Sequence, residues 1–220
     1  MGFRMPTDAF EGFLESRTGA TDGPDSAHDI THIRRVVALA IRLCQIEDAE
    51  PKVVVPAAWL HDCVVLPKDA DNRKEASTMA AKAAVRFLSS IRYPMQFYDD
   101  IFHAIEAHSF SRGIVPATIE ARVVQDADRL DAIGAIGIAR CFAVGGQLRR
   151  PFYSESDPFC HERSPDDQRY TIDHFFQKLL TLCKTMRTDA GREEAKRRHA
   201  FMLTYLQQLS DEISASLKGR

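Results

Sequence analysis

This sequence of 220 residues has no long apolar run, almost no excess charge and no CxxC pair of cysteines. No stretch approaches the roughly 18 apolar residues of a membrane span, and Arg4, Asp8 and Glu11 interrupt the first residues, so we expect neither a membrane anchor nor a signal peptide. The formal net charge is -2, with 45% hydrophobic and 27% charged residues. That composition indicates an ordinary globular protein and gives no reason to expect a nucleic-acid or membrane partner.

The five cysteines are odd in number and lie within or beside apolar segments. This usage suits reduced, mostly buried thiols rather than a disulfide framework, so we expect a cytoplasmic protein.

The sequence also lacks sustained alternation of apolar and polar residues, which argues against strands. Apolar residues recur at helical spacing instead, and helices are predicted over 26–47, 51–65, 72–91, 95–110, 118–143, 170–185 and 190–217, with 118–143 forming one helix or two. The length suits one domain. We therefore predict an all-α, single-domain helical bundle over 1–220, with its motif core at about 26–140 and its C-terminal helices at about 170–217.

The segment 145–169 is rich in Pro, Ser, Asp and Arg and has no sustained periodicity. A loop of this length in a compact domain usually has a function, so we expect it to lie near the active site.

The residues with most chemical information are the adjacent pair His61 and Asp62, the upstream His32, and a carboxylate cluster that includes Asp126 and Asp128. Imidazole nitrogen with carboxylate oxygen suits divalent Mn, Fe, Co, Ni, Zn or Mg. Consecutive side chains on a helix point about 100° apart. His61 and Asp62 can therefore bind the same metal ion only if it lies at the edge of the helix, between their two directions. A His-Asp pair alone is more often a surface feature, and the argument depends on the whole set.

Several motifs together resemble the HD-domain superfamily of metal-dependent phosphohydrolases, and within it a bacterial single-domain branch. They are HDxxHxxRV at 28–36, the HD pair in PAAWLHDCV, LPKD at 66–69 with a following Arg and Ala-Ser pair, IEAHSFS at 105–111, and QDADRLDAIGAIGIAR at 125–140. The resemblance covers about residues 26–210.

The resemblance implies a helical fold with one divalent metal ion held by His32, His61, Asp62 and Asp128. Asp128 is chosen because the ligating Asp of the superfamily generally stands in an ADxL string, and Asp126 is the alternative ligand. Four protein ligands leave positions for water and a phosphate oxygen, so the site suits hydrolysis and gives Asp62 a catalytic role as well.

Further candidates surround this set. His28 and Arg35 share a helical face with His32, and could act as a base or hydrogen bonder and as a phosphate contact. Arg35 could equally pair with a ligand carboxylate. Lys68 and Arg73 in the following loop, and Lys178 on a later helix, are candidate substrate contacts, with a solvated surface as the alternative for each.

Glu106 and His108 are candidates for a catalytic base and for a substrate or water contact. Some HD proteins, diiron oxygenases among them, hold a second metal with extra histidines in this region. His103 and His108 lie about 140° apart on a helix, so a second site is short of a ligand. Val65 replaces a frequent acidic residue of the superfamily, which leaves the general acid or base open.

These observations predict a hydrolase of nucleotides, with cleavage of nucleoside triphosphates to monophosphate and pyrophosphate as the leading hypothesis. A 5′-nucleotidase-like phosphomonoesterase is the second, a diiron HD-type oxygenase the third, and a non-catalytic sensor the fourth. The intact ligand set argues against the sensor. The predicted partner is a small phosphate substrate, and homodimer formation is left open.

Overall fold

The computed structural model describes residues 4–18, 30–64, 66, 75–109 and 112–218. Within these ranges there is no strand, and the all-α prediction is confirmed. The helices are α1 Thr7–Thr18, α2 Ile30–Ile46, α3 Pro51–Leu60, α4 Ala76–Ser90, α5 Tyr98–His108, α6 Ile119–Asp131, α7 Gly134–Gln147, α8 Leu180–Leu182 and α9 Asp189–Lys218. No helix in the described part of the chain is long and apolar enough to cross a membrane.

The chain divides into two compact units. The first comprises 1–128 together with 187–191, and the second comprises 129–186 together with 192–220. In the first unit α2, α5 and α1 each pack on α3, and α4 packs on α5. The expectation of a single domain stays a prediction.

The helix α3 contains an internal proline that its neighbours accommodate. It starts at Pro51, with the Glu50 side chain accepting the backbone N–H of Lys52. Pro56 has no N–H to donate to the carbonyl of Lys52, four residues earlier. The hydroxyl of Tyr93 donates to that carbonyl instead, at 2.7 Å. The helix therefore continues through Pro56 to Leu60, which places His61 and Asp62 directly after it.

The helix α1 was not among the sequence predictions. Its residues Phe10 and Leu14 are buried, and Phe13 stacks on Phe87 of α4 with ring centroids 4.1 Å apart. These apolar side chains have helical spacing but span little more than one turn, so the helix depends on packing.

The predicted helix at 118–143 is two helices. Gly134, at the start of α7, has φ +76°, a left-handed conformation that favours glycine. In the second unit the Arg198 guanidinium donates to the carbonyl of Leu130 and so satisfies an acceptor at the end of α6.

Three other boundaries differ from the predictions. The helix α7 continues to Gln147, three residues into the predicted loop. The helix α4 ends at Ser90, one residue before the predicted end, and the predicted start at residue 72 lies outside the described residues. The predicted helix at 170–185 is wrong as a regular helix, because the chain forms a π-helical turn at Phe175–Leu179, then α8, then a 3-10 turn at Cys183–Thr185. The apolar residues keep a helical period throughout, which explains the prediction.

The predicted functional loop belongs to the second unit and is ordered by ionic contacts. The guanidinium of Arg163 forms two hydrogen bonds with the buried carboxylate of Asp173, and Asp157 accepts backbone N–H groups of His161, Glu162 and Arg163. Burial tends to raise the pKa of Asp173, but Arg163 and a backbone hydrogen bond outweigh it and lower that pKa. The expected position of this loop near the active site stays a prediction.

We expect Tyr93→Phe to lower the free energy of unfolding by roughly 0.5–1.5 kcal/mol, because it removes the hydroxyl that donates to the half-buried carbonyl of Lys52. The measurement is urea unfolding of the wild type and the variant. In a Pro56→Ala background the new N–H can reach the same carbonyl, so the same tyrosine substitution should cost clearly less. Equal costs in both backgrounds would contradict this account of Pro56.

Candidate active site

Three segments of the first unit bring the four predicted metal ligands together. His32 lies in the first turn of α2, His61 and Asp62 directly follow α3, and Asp128 lies near the end of α6. The Nε2 atom of His32 is 3.6 Å from Oδ1 of Asp128 and 4.0 Å from Oδ2 of Asp62. Nε2 of His61 is 3.5 Å from Oδ2 of Asp62 and 3.9 Å from Oδ1 of Asp128. Two nitrogens and two oxygens thus face one small space.

The ring of His61 is oriented as a metal ligand would be. Its Nδ1 lies 2.8 Å from the carbonyl oxygen of Ala58, which only accepts, so the proton is on Nδ1 and the lone pair is on Nε2. That Nε2 is buried, and none of the residues that the structure describes forms a hydrogen bond with it. Burial lowers the pKa of His61 and outweighs the opposing charge of Asp62, so the ring stays neutral. A buried lone pair with no partner is costly, and a cation would satisfy it.

The cluster is accessible to solvent on the side formed by the carboxylates of Asp62 and Asp128. The His32 and His61 side chains are 2% and 0% exposed, whereas those of Asp62 and Asp128 are 19% and 29% exposed. Ligand atoms of His32, His61 and Asp128 all lie within 4.8 Å of one another, as do those of His61, Asp62 and His108. Neutral imidazole with carboxylate is a donor set for a divalent transition metal or Mg. The residues present therefore fit one such ion.

His108, the last residue of α5, contacts this cluster from a third direction. Its Nδ1 lies 2.5 Å from the carbonyl of Ile105, and its Nε2 lies 3.4 Å from Oδ1 of Asp62. Burial disfavours the charged ring, but the interaction with Asp62 and the charge of Asp128 outweigh it and raise the pKa of His108 to about 9. The sequence suggested a substrate or water contact, and the geometry adds contact with a ligand carboxylate.

Asp126 faces a different part of the first unit. Its fully buried carboxylate accepts the backbone N–H groups of Arg187 and Thr188 and the hydroxyl of Thr188. Asp131, in the second unit, pairs with Arg140 at 2.9 Å. These contacts favour Asp128 over Asp126 as the ligand, and that choice stays a prediction.

The remaining candidates are distributed more widely. Arg35 is half-buried and donates to the hydroxyl of Thr31, one turn earlier on α2. Glu106 accepts the hydroxyl of Thr78 at 2.8 Å. Lys178 is exposed in the π-helical turn of the second unit. The predicted residues His28, Lys68 and Arg73 lie outside the described residues.

Two polar residues near these candidates were not singled out by the sequence. The fully buried Gln125 donates its side-chain amide to the carbonyl of Ala107 at 2.6 Å, which links α6 to the turn of α5 that carries His108. Thr78 orients Glu106 from the first turn of α4. The position of Gln125 directly before Asp126 was the available signal, but its partner is a backbone group 18 residues away and no local spacing predicts that contact.

Comparison with known proteins agrees with this geometry. The HD domain model matches residues 29–133. YpgQ of Bacillus subtilis is 36% identical over 192 residues, which cover 86% of this chain and 85% of YpgQ. This chain belongs to the HD-domain family of metal-dependent phosphohydrolases.

Solved structures support the same assignment for this HD-domain protein. The crystal structure of Bacillus subtilis YpgQ in complex with ADP has a TM-score of 0.69 at 35% identity, covering 94% of this chain and 93% of YpgQ. An HD-superfamily hydrolase from Bacillus thuringiensis has a TM-score of 0.72 at 32% identity, covering 96% of this chain and the whole of that chain. The HD-domain protein is accordingly a hydrolase, as the sequence predicted.

We expect Asp128→Asn to weaken divalent-metal binding by roughly tenfold or more, because it replaces a charged ligand by a neutral amide. His61→Ala should likewise abolish tight binding while the helical circular-dichroism signal persists. Metal content and affinity are measured by elemental analysis and by chelator competition.

His103→Ala is the matched control for these two variants. His103 lies on α5, and its Nε2 accepts the backbone N–H of Ala117 at 2.9 Å, so its lone pair is already in use. This variant should keep wild-type metal affinity. Unchanged metal affinity in both Asp128→Asn and His61→Ala would contradict the metal assignment.

Proposed function

We propose that this protein hydrolyses nucleoside triphosphates to nucleoside monophosphate and pyrophosphate, using one divalent metal ion held by His32, His61, Asp62 and Asp128. The observation that carries the metal assignment is the buried Nε2 of His61, which has no hydrogen-bond partner in the described part of the chain and faces two part-exposed carboxylates. The nucleotide class is supported by a relative, YpgQ, whose crystal structure is in complex with ADP.

The cluster suits hydrolysis because its open side is the carboxylate side. A divalent ion bound there supplies an activated water molecule and withdraws charge from a phosphoryl group. In the reaction, water attacks the α-phosphorus, the bond from that phosphorus to the oxygen bridging to the β-phosphate breaks, and pyrophosphate leaves.

Other residues then have distinct tasks. His61 keeps its lone pair toward the cluster because its Nδ1 is held by Ala58. Glu106, oriented by Thr78, is our candidate for accepting the proton of water, and His28 is the second candidate. Arg35, three residues after His32, is assigned to the phosphates, as are Lys68 and Arg73.

A phosphomonoesterase that releases orthophosphate is the second candidate, since the same metal ligands suit hydrolysis of a phosphate ester as well as of a phosphoanhydride. The oxygenase hypothesis has less support. A second metal site would need extra histidines, and His103 already accepts the N–H of Ala117. His108 is then the one histidine of α5 that could bind a second metal. The ligand atoms near it belong to His61 and Asp62, which are already part of the cluster described above.

The deciding experiment is a screen of nucleoside tri-, di- and monophosphates with the full chain and each of Mn, Mg, Co, Ni, Fe and Zn. We expect stoichiometric pyrophosphate and monophosphate from triphosphates, resolved by ion-exchange chromatography. Orthophosphate release from monophosphates would favour the 5′-nucleotidase. Two tightly bound irons with oxygen-dependent turnover would favour the oxygenase.

Arg35→Ala should raise KM for the triphosphate by roughly tenfold to a hundredfold, because a charge-assisted contact to phosphate contributes on the order of 1.5–3 kcal/mol. Arg34→Ala is its matched control. Arg34 is the preceding residue of α2, is 54% exposed and pairs with Glu11 of α1, so its loss should leave KM unchanged. The measurement is steady-state kinetics with the metal at saturation. Equal KM values for the two variants would remove Arg35 from the substrate site.

A further inference from the structure

The carboxylate of Asp126 lies two residues before the proposed ligand Asp128 and is one of the most completely buried charged groups in the first unit. It accepts the N–H of Arg187 at 2.9 and 3.0 Å, the N–H of Thr188 at 2.8 Å and the hydroxyl of Thr188 at 2.8 Å. These donors are 61 and 62 residues away in sequence. The contact therefore ties α6 to a distant segment of the chain.

That segment is the start of α9. The hydroxyl oxygen of Thr188 accepts the N–H of Gly191 at 3.0 Å, so Thr188 caps the helix while its own proton points to Asp126. The negative carboxylate also lies at the positive end of the helix dipole. Asp126 thus completes the cap of α9 from a different helix.

The space around this contact is restricted. A Cβ atom added to Gly191 would lie 2.4 Å from Oδ2 of Asp126 and 2.7 Å from Oγ1 of Thr188. The carboxylate cannot move toward α9 without meeting its backbone, and moving away breaks three hydrogen bonds. Asp126 is consequently fixed in position, and with it the rotation of α6 about its own axis.

The rotation of α6 matters because of where Asp128 points. Positions two apart on a helix differ by about 200°, so Asp126 faces α9 while Asp128 faces the two histidines. A rotation of α6 by about 10° moves a carboxylate about 6 Å from the helix axis by roughly 1 Å. Metal ligands tolerate displacements of only about 0.2 Å from their ideal distances.

We propose that Asp126 is a positioning residue of the metal site, which holds the rotation of α6 through the cap of α9 and thereby sets Asp128 against His32 and His61. This inference rests on the proposed metal site, and it concerns metal affinity rather than the identity of the substrate.

The test compares metal binding by the full chain in the wild type, Asp126→Asn and Thr188→Val. The asparagine places an amide among three donor groups. The valine removes the hydroxyl, which donates to Asp126 and accepts the N–H of Gly191. We expect cobalt(II) affinity to fall about three- to tenfold in Asp126→Asn and about twofold in Thr188→Val, with an altered cobalt(II) absorption spectrum in both. Affinity is measured by titration at a temperature where all variants are folded.

Asp173→Asn is the matched control. Asp173 is equally buried and accepts hydrogen bonds from Arg163 and from the backbone of Asp166, but it belongs to the second unit, which contains none of the proposed ligands. This variant should lower Tm and leave the cobalt(II) affinity and spectrum unchanged.

Several results would overturn the proposal. Wild-type affinity and spectrum in both Asp126→Asn and Thr188→Val, with only Tm reduced, would make Asp126 a stabilising residue alone. If Asp126→Asn does not fold, Thr188→Val decides by itself. Loss of metal in Asp126→Asn with retention in Asp128→Asn would make Asp126 the ligand. A wild type that binds cobalt(II) but hydrolyses no nucleotide would contradict the proposed substrate only, and the affinity comparison would still decide the role of Asp126.

Discussion

The site depends on one buried nitrogen that has no hydrogen-bond partner among the described residues. Nε2 of His61 is fully enclosed, yet its ring is held by Ala58 in the orientation that points the lone pair at two carboxylates. An unsatisfied polar atom in the interior costs on the order of 1–3 kcal/mol, so a fold retains one where something outside the chain satisfies it. The rest of the first unit can be understood as the scaffold that keeps this nitrogen, its neighbour His32 and the two carboxylates in register.

The scaffold uses backbone acceptors and donors rather than more charged residues. The Ala58 carbonyl orients His61, the Ile105 carbonyl orients His108, and the Ala107 carbonyl accepts Gln125. Each contact lies at or near the C-terminal end of a helix, where carbonyl groups have no partner within the helix. The ends of α3 and α5 therefore provide the backbone acceptors that orient His61 and His108.

Four aspartates of this protein fall into two groups that differ in exposure and in hydrogen-bond partners. Asp62 and Asp128 are part-exposed and face histidine nitrogens, so they can receive a cation and a water molecule. Asp126 and Asp173 are fully buried and surrounded by hydrogen-bond donors, so their charge is already balanced. Asp126 and Asp128 lie two positions apart on α6, so their side chains point about 200° apart and meet different neighbours.

The sequence alone determined the helical class, the family and the four candidate ligands, because helical periodicity is a local property and the motifs are short. It did not determine which acidic residue near 128 is used structurally, since the partners of Asp126 begin 61 residues away. It also missed α1, whose helix depends on contacts such as the stacking of Phe13 on Phe87.

The continuity of α3 through Pro56 was likewise decided by tertiary structure. A proline inside a helix leaves a carbonyl without its helical donor, and only the fold brings the Tyr93 hydroxyl to the carbonyl of Lys52. Local sequence fixes which backbone groups lack a partner, whereas three-dimensional packing decides which distant side chain supplies one. Because α3 continues through Pro56, His61 and Asp62 directly follow its end, and this position determines the geometry of the site.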